Sequence, residues 1–429
     1  MVFQGRHEKM FLNVALTKFF WSKTMMINKH SLRALLTVAL LVSPLVSRAQ
    51  TDNWESWLFS QIMKHPNAMA AKEQSAALQS AAEANEQPLY NPEFSLGADR
   101  TGSTNNFEAG LSQTIDWSNQ KESLQSKAVA MRISAEAELN ETILERTSES
   151  LVALVAWRAS KQEAEIAESQ QERLNVLFEL VEQRQKAGDI GRADAELLFL
   201  SLSEQLSEVA QANASIDMVE ARVRELLPDW TPQRGGVPDS FWSSFESTFG
   251  GSDLLAHPAI VAAQARWQVL QAEAEATSRR TKASPTVGLV GGRDGGENVV
   301  GLTFSIPLNV RNNYSAQNRA AGQLALEAEA RFQALYRKKK YELEGTRAAW
   351  QRYEQQLSRW QELSSGRVQR SADLLGEQWK VGDISTSGYL QALGQRADSL
   401  KTGIELERQT QFSLIELLRQ SGELTAPFQ

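Results

Sequence analysis

LSQTIDWSNQKESLQSKAVAMRISAEAELNETILERTSESLVALVAWRASKQEAEIAESQQERLNVLFELVEQRQKA, from Leu111 to Ala187, contains neither glycine nor proline and is dominated by Ala, Glu, Leu, Gln, Ser and Arg. Most of these residues lose little side-chain freedom in a helix, and no breaker interrupts the run. Helical from about Asn119, it makes a rod of roughly 70 residues, on the order of 100 Å long at 1.5 Å per residue. Helices of globular domains average about 11 to 12 residues. A rod this long therefore has to bury its apolar side against other rods, and side-by-side helices from several chains are the expected partners. Ala128, Ala135, Leu139, Ile143, Val152, Val155, Leu174 and Leu177 supply that side.

Two short alternating segments, Phe94 to Ala98 and Phe107 to Trp117, lead into the rod. In the longer one Phe107, Ala109, Leu111, Ile115 and Trp117 face one way, with Gln113 as the exception, against Glu108, Gly110, Ser112, Thr114 and Asp116. A second segment repeats this more cleanly, with Val300, Leu302, Phe304, Ile306 and Leu308 alternating with Gly301, Thr303, Ser305 and Pro307. Period-two alternation over about ten residues suits a strand that crosses a bilayer, and it suits a half-buried hairpin on a soluble domain equally well. The loops between strands, residues 99–106 and 293–298, are polar and contain glycine. Gly291 to Gly296 lacks the Gly-Lys-Ser/Thr ending of a phosphate loop and leads into a strand, so no phosphate cradle is expected there.

Further out, every landmark occurs twice. His65-Pro66 in a helical stretch from Trp54 to Glu86 is answered by His257-Pro258 in one that continues to Lys282. Asn91-Pro92 is answered by Ser284-Pro285, and Ala109-Gly110-Leu111-Ser112 by Val300-Gly301-Leu302-Thr303. The turn Ala187-Gly188-Asp189-Ile190, followed by a helix from Arg192 to Leu227, is answered by Val381-Gly382-Asp383-Ile384 after a second long helix from about Asn318 to Lys380. Landmarks that recur in the same order mark a duplicated unit. Residues 50–227 form the first copy and 254–424 the second, with 228–253 between them and 425–429 as a tail. The second rod carries Gly322, Gly345, Gly366 and Gly376 and is expected to be less regular.

The chain has 429 residues, a net charge of −7 and no cysteine. This composition lacks the basic excess of a nucleic-acid binder, so no nucleic-acid partner is expected. Disulfides, thiolate metal sites, a cysteine nucleophile and a cysteine-linked lipid are excluded. Lys29, His30 and Arg33, the apolar run ALLTVALLVSPLV and Ser47-Arg48-Ala49 have the form of a secretory signal, with cleavage after Ala49. After it comes no apolar run long enough for a membrane-spanning helix, so any crossing of a membrane falls to the strands. Four strands cannot close a barrel, because spanning barrels begin at about eight. A trimer supplies twelve.

On these landmarks the chain resembles the TolC family of outer-membrane efflux proteins, and within it the outer-membrane components of resistance-nodulation-division tripartite exporters, the heavy-metal branch in particular. The resemblance spans about Trp54 to Leu424. It implies a mainly α fold with transmembrane β: a homotrimer whose twelve-stranded barrel, set in outer-membrane lipid of a Gram-negative bacterium, continues into a long α-helical barrel across the periplasm. It also implies a passive exit duct that meets a periplasmic adaptor (membrane fusion) protein and, through it, an inner-membrane pump.

Residue by residue, the resemblance makes Ala187, Gly188, Asp189 and Ile190 with Val381, Gly382, Asp383 and Ile384 the tips that touch the adaptor. Asp189, Asp194 and Asp383 become candidates for a carboxylate ring at the periplasmic entrance; ordinary solvated turn residues are the alternative. Phe107, Leu111, Ile115, Trp117, Val300, Leu302, Phe304, Ile306 and Leu308 become the lipid-facing set. The stretch 228–253, with Trp230, Trp242, Phe245 and Phe249, becomes part of a belt around the middle of the helical barrel.

Chemistry for catalysis is not evident. His65 and His257 each precede proline at a helix start, where capping or packing accounts for them better than metal binding. No cofactor box, triad or phosphate loop appears, and neither an enzymatic activity nor a cofactor is expected. A type I secretion duct for polypeptides and a periplasmic helical spacer or adaptor remain the competing functions.

Overall fold

The computed structural model describes residues 54–188, 191–246, 253–364 and 366–425. The first copy of the unit comprises α1 (Trp54–Lys64), α2 (Pro66–Glu86), β1 (Glu93–Thr101), β2 (Thr104–Thr114), α3 (Gln120–Ala187) and α4 (Arg192–Leu226). A connecting stretch contains α5 (Asp239–Glu246). The second copy comprises α6 (Pro258–Arg280), β3 (Thr286–Asp294), β4 (Glu297–Ser305), α7 (Ser315–Ser364), α8 (Arg367–Lys380) and α9 (Thr386–Ser421).

The rod is continuous: α3 runs for 68 residues, about 100 Å at 1.5 Å per residue. Its start is set by Asp116, whose carboxylate accepts hydrogen bonds from the N–H groups of Gln120 (3.0 Å) and Lys121 (2.9 Å), two of the donors a helix start leaves unpaired. Its end is set by Gly188, in the left-handed region at φ 83°, whose N–H donates to the Arg184 and Gln185 carbonyls.

Two helices differ from expectation. The second rod is not continuous from Asn318 to Lys380; Gly366, at φ 67°, takes the left-handed conformation and divides it into α7 and α8. Gly322, Gly345 and Gly376 stay inside helices. The stretch from Trp54 to Glu86 is likewise two helices, because Pro66 holds His65 in an extended conformation (ψ 135°). Pro66 then occupies the first turn, where its missing N–H costs nothing.

α3 is the axis of the packing. α2, α4, α6 and α9 all lie against it. Around its middle Leu151, Leu154 and Trp157 meet Leu58 and Ile62 of α1, Leu226 of α4, Ile415 and Leu418 of α9, and Trp230 and Phe241 of the connecting stretch. Trp230 stands edge-on to Trp157 at 5.2 Å between ring centres, a favoured aromatic geometry. Trp230 and Trp242 thus pack on the middle of the rod, while Phe249 and the side chain of Phe245 lie outside the described residues.

Ion pairs join the rod to its neighbours nearer the sheet. Arg132 holds Glu86 of α2 through two hydrogen bonds of 2.6 and 2.8 Å, and Lys127 holds Glu273 of α6 at 2.6 Å. No helix among the described residues is long and apolar enough to cross a membrane.

The four strands form one antiparallel sheet in the order β1-β2-β3-β4, so β2 and β3 join the two copies. All four connections to helices leave from one end of the sheet, and the β1–β2 and β3–β4 turns lie at the other.

Candidate functional site

Register fixes what each face of the sheet presents. Phe94 pairs with Leu111, Leu111 with Leu289 and Leu289 with Leu302, one row across all four strands. These side chains are 69, 57, 55 and 88% exposed. The next row on the opposite face is Glu93, Ser112, Gly288 and Thr303. Since side chains alternate across a strand, one face carries these bare apolar side chains, while the other, apart from Val290 and Val299, is small or polar. A bare apolar face of this kind is not sustained in water without a partner.

The polar face is also crowded. A Cβ built on Gly110 would sit 2.7 Å from the Ser95 hydroxyl, and one on Gly288 would sit 3.0 Å from the Ser112 Cβ and 3.1 Å from the Leu111 carbonyl. Crowding confined to one face is what a sheet curled toward that face produces, and glycine relieves it.

Gln113 breaks the apolar alternation without leaving its amide unpaired: Nε2 donates to the Tyr90 and Thr114 carbonyls at 3.2 and 2.9 Å. Four members of the apolar set lie beyond the strands. β2 ends at Thr114, before Ile115 and Trp117, because Asp116 is committed to the start of α3. β4 ends at Ser305, before Ile306 and Leu308, because Pro307 has no N–H for the ladder. All four are nevertheless exposed. The sequence pattern also omitted half of the face: Phe94 and Leu96 on β1 and Val287 and Leu289 on β3 stand in the same rows and are exposed. The outer edges are open, since among the described residues β1 pairs only with β2 and β4 only with β3.

At the far end of the rods, the two glycine turns come together. Gly382 (φ 85°) closes α8, with its N–H on the Trp379 carbonyl, and the Ser385 hydroxyl caps α9 by accepting from the Gly388 N–H. Arg184 of the first turn reaches the second, donating to the Lys380 carbonyl at 3.2 Å and lying 5.0 Å over the Trp379 ring. Trp379 stacks on Tyr389 at 5.5 Å and donates Nε1–H to the Thr386 hydroxyl at 3.2 Å. Arg184, Trp379 and Tyr389 were not expected here; the one signal was a tryptophan in a turn where the first copy has Gln185.

Of the eight tip residues, Ala187, Gly188, Val381, Gly382 and Asp383 are exposed. Ile384 instead packs inward with Leu177, Leu198 and Trp379, and Asp189 and Ile190 lie outside the described residues. Asp194 is half-buried in the first turn of α4, its N–H on the Gly191 carbonyl, whereas Asp383 is exposed. Beside the tip an open cleft of about 610 Å³ is lined by Arg173, Asp373, Trp379 and Tyr389. Burial pushes Tyr389 up from its ordinary value. Burial, then the nearby Arg173 guanidinium, pushes Arg396 down.

Both histidines cap helices. His65 Nδ1 accepts from the Asn67 N–H at 3.2 Å, and His257 Nδ1 accepts from the Ala259 N–H at 3.1 Å. An accepting Nδ1 places the proton of neutral His257 on Nε2, which donates to the Arg419 carbonyl at 3.1 Å. Burial first, then the Lys339 cation, lowers His257 to about 4. Lys339 is itself pushed down by burial and donates to Gln420 Oε1 at 3.0 Å.

No protein-family model and no curated protein matches the chain. Solved structures do match it. The outer-membrane channel OprN aligns over 86% of this chain and 92% of its own, with a TM-score of 0.70 and 16% identity. The CmeC outer membrane channel of Campylobacter jejuni covers 86 and 85% with a TM-score of 0.70 and 13% identity. The outer membrane protein VceC of Vibrio cholerae covers 86 and 96% with a TM-score of 0.69 and 14% identity. These neighbours are channel and membrane proteins, not enzymes. The duplicated unit, its long helices and its two strand pairs together give this chain the TolC-like outer-membrane channel fold.

Proposed function

We propose that the chain is one of three identical staves of an outer-membrane exit duct, exported with loss of residues 1–49 and built from the copies 50–227 and 254–424. The carrying observation is the four-stranded sheet with one bare apolar face and two open edges. In lipid every unpaired edge group costs several kcal/mol, so a lone sheet is not viable there. Three copies joined β4 to β1 give twelve strands and leave no edge. The same threefold arrangement covers the outward apolar residues of the helices, such as Leu197, Leu200 and Met218 on α4. The fold shared with OprN and CmeC supports this reading.

The duct conducts passively. An inner-membrane pump and a periplasmic adaptor deliver its cargo, and the adaptor docks on Ala187, Gly188, Val381 and Gly382, with Asp189 and Ile190 completing the first tip. Asp383, together with Asp194 and Asp189, brings negative charge to the entrance, where threefold repetition favours cations over anions. Asp383→Ala is expected to lower cation selectivity in bilayer conductance recordings, and an unchanged selectivity removes it from the entrance. Similarity of the sequence pattern to the heavy-metal branch makes divalent metal ions the first cargo to test, by comparing sensitivity to metals, dyes and detergents after gene disruption.

Cell fractionation with SDS gels of unheated and heated samples tests the reading as a whole. A heat-sensitive trimer in the outer membrane is expected, and a soluble periplasmic monomer overturns it.

A further inference from the structure

Charges in the sheet are sorted by face. Glu93, Asp99, Glu108, Asp294 and Glu297 all fall on the small, polar face, and the only two basic residues of the strands, Arg100 and Arg293, both fall on the apolar face. A bilayer explains the apolar face but not a guanidinium on it, because cations are costly against lipid tails and settle at the headgroups.

Position resolves the conflict. Both arginines stand at the end of the sheet that carries the β1–β2 and β3–β4 turns, opposite the helices. If the helices occupy the periplasm, this end is the outer leaflet. The two sites are also built alike, one in each copy. Arg100 Nε donates to the Gly102 carbonyl at 3.3 Å, and Arg293 Nε donates to the Gly296 carbonyl at 3.2 Å. Among the described residues each guanidinium is thus hydrogen-bonded to its own turn by Nε, which leaves the two-pronged Nη end for an outside acceptor. Arg100 pairs with Asn105 and Arg293 with Phe107, so β2 alone separates them. Two inter-strand spacings and a two-residue step put their Cα atoms on the order of 12 Å apart.

We infer that Arg100 and Arg293 form a rim site for a doubly phosphorylated glycolipid headgroup, that of lipid A in the outer leaflet, with one guanidinium to each phosphate. The inference goes beyond the duct reading but rests on it, since it requires the apolar face to be in an outer membrane. Arginine suits the role because its planar fork binds phosphate through two parallel hydrogen bonds, which an ammonium cannot do. The five carboxylates on the opposite face do not weaken the site, because they point away from the lipid. A disaccharide with a phosphate at each end can bridge the two arginines; a single-phosphate glycerolipid can engage only one.

The test uses the full chain purified in mild detergent, with native mass spectrometry of its complexes with diphosphoryl lipid A, monophosphoryl lipid A and phosphatidylglycerol. The wild type is expected to bind diphosphoryl lipid A roughly tenfold more tightly than the R100A/R293A double variant, with monophosphoryl lipid A between the two. The paired lysine variant R100K/R293K, which keeps the charge, is expected to recover only part of the loss. Asp99→Asn with Glu108→Gln, on the opposite face, is expected to change nothing.

A double variant that binds like the wild type overturns the site, and so does equal binding of phosphatidylglycerol and diphosphoryl lipid A. If the double variant does not assemble, the single variants decide: each is expected to lose several-fold, and no loss in either overturns the site. Failure of the duct reading has a separate signature, the absence of the unmodified protein from the outer-membrane fraction.

Discussion

α3 and α7 occupy the same place in the duplicated unit and have opposite surroundings. α3 buries Leu151, Leu154, Val155 and Trp157 because α2, α4, α6 and α9 flank it, whereas α7 lies against α6 and α9 and buries only Ala328. Counting back equally from Gly188 and Gly382, the place of Leu154 is taken by Ala348; the leucine is fully buried and the alanine exposed. Duplication has therefore specialised the two rods. The first holds the protomer's core, and the second carries a flank that one chain alone leaves bare. α4 carries the other bare flank, with Leu197, Leu200, Leu206 and Met218 exposed. Two different open flanks on one protomer are what a head-to-tail ring needs, because each mates with the other and the ring closes.

The largest expected effect breaks the comparison at its centre. Leu154→Ala leaves a cavity among α1, α3, α4 and α9 and should cost about 2 to 5 kcal/mol. Ala348→Ser at the matching place should stay within about 0.5 kcal/mol. Thermal unfolding of the two variants in detergent checks this; equal losses would mean that the rods are not specialised.

Next in size is the histidine that starts α6. His65 and His257 make the same cap, but His257 is surrounded by burial, Lys339 and Arg419, and its value falls to about 4. The unfolded chain binds the proton at about 6.5. Between pH 6.5 and 4 the unfolded state therefore holds more protons than the native one, so acidification through that window removes stability, up to about 3 kcal/mol per protomer, and no more is lost below it. His257→Asn keeps a capping acceptor without a titrating ring. Its unfolding midpoint should be lower than that of the wild type at pH 7 and should fall less between pH 6.5 and 4. A variant with the full wild-type slope would assign the pH dependence elsewhere.

Why one rod breaks and the other does not was only half legible. The glycine-free run gave α3 almost to the residue, because nothing in it competes with helix. Glycines in the second rod announced irregularity but not its place, since Gly322, Gly345, Gly366 and Gly376 look alike locally and only Gly366 leaves the helix. The sheet had the same limitation. Alternation was plain on β2 and β4, but Gly97 on β1 and Gly291 and Gly292 on β3 thin the pattern. Phe94, Leu96, Val287 and Leu289 became part of the face only when pairing put them in rows. At the tips, Gly-Asp-Ile was readable twice. The link from Arg184 to Trp379 joins residues far apart in the chain, and no local pattern encodes it.

The smallest effects sharpen the comparison, because two of the four glycines of the second rod, Gly366 and Gly345, should respond with opposite signs. Gly366 sits at φ 67°, where a side chain crowds the backbone, so Gly366→Ala should cost about 1 to 2 kcal/mol by straining the break between α7 and α8. Gly345 is in the helix interior, with nothing within 4 Å of an added Cβ in the protomer. Gly345→Ala should therefore stabilise the chain by about 0.5 to 1 kcal/mol, by reducing the freedom of the unfolded state. Measured on the protein extracted in mild detergent, the second substitution also locates the flank. A gain in unfolding temperature puts the Gly345 side of α7 toward open space. A loss means that a neighbouring protomer packs against that glycine, and the bare flank of α7 then includes it.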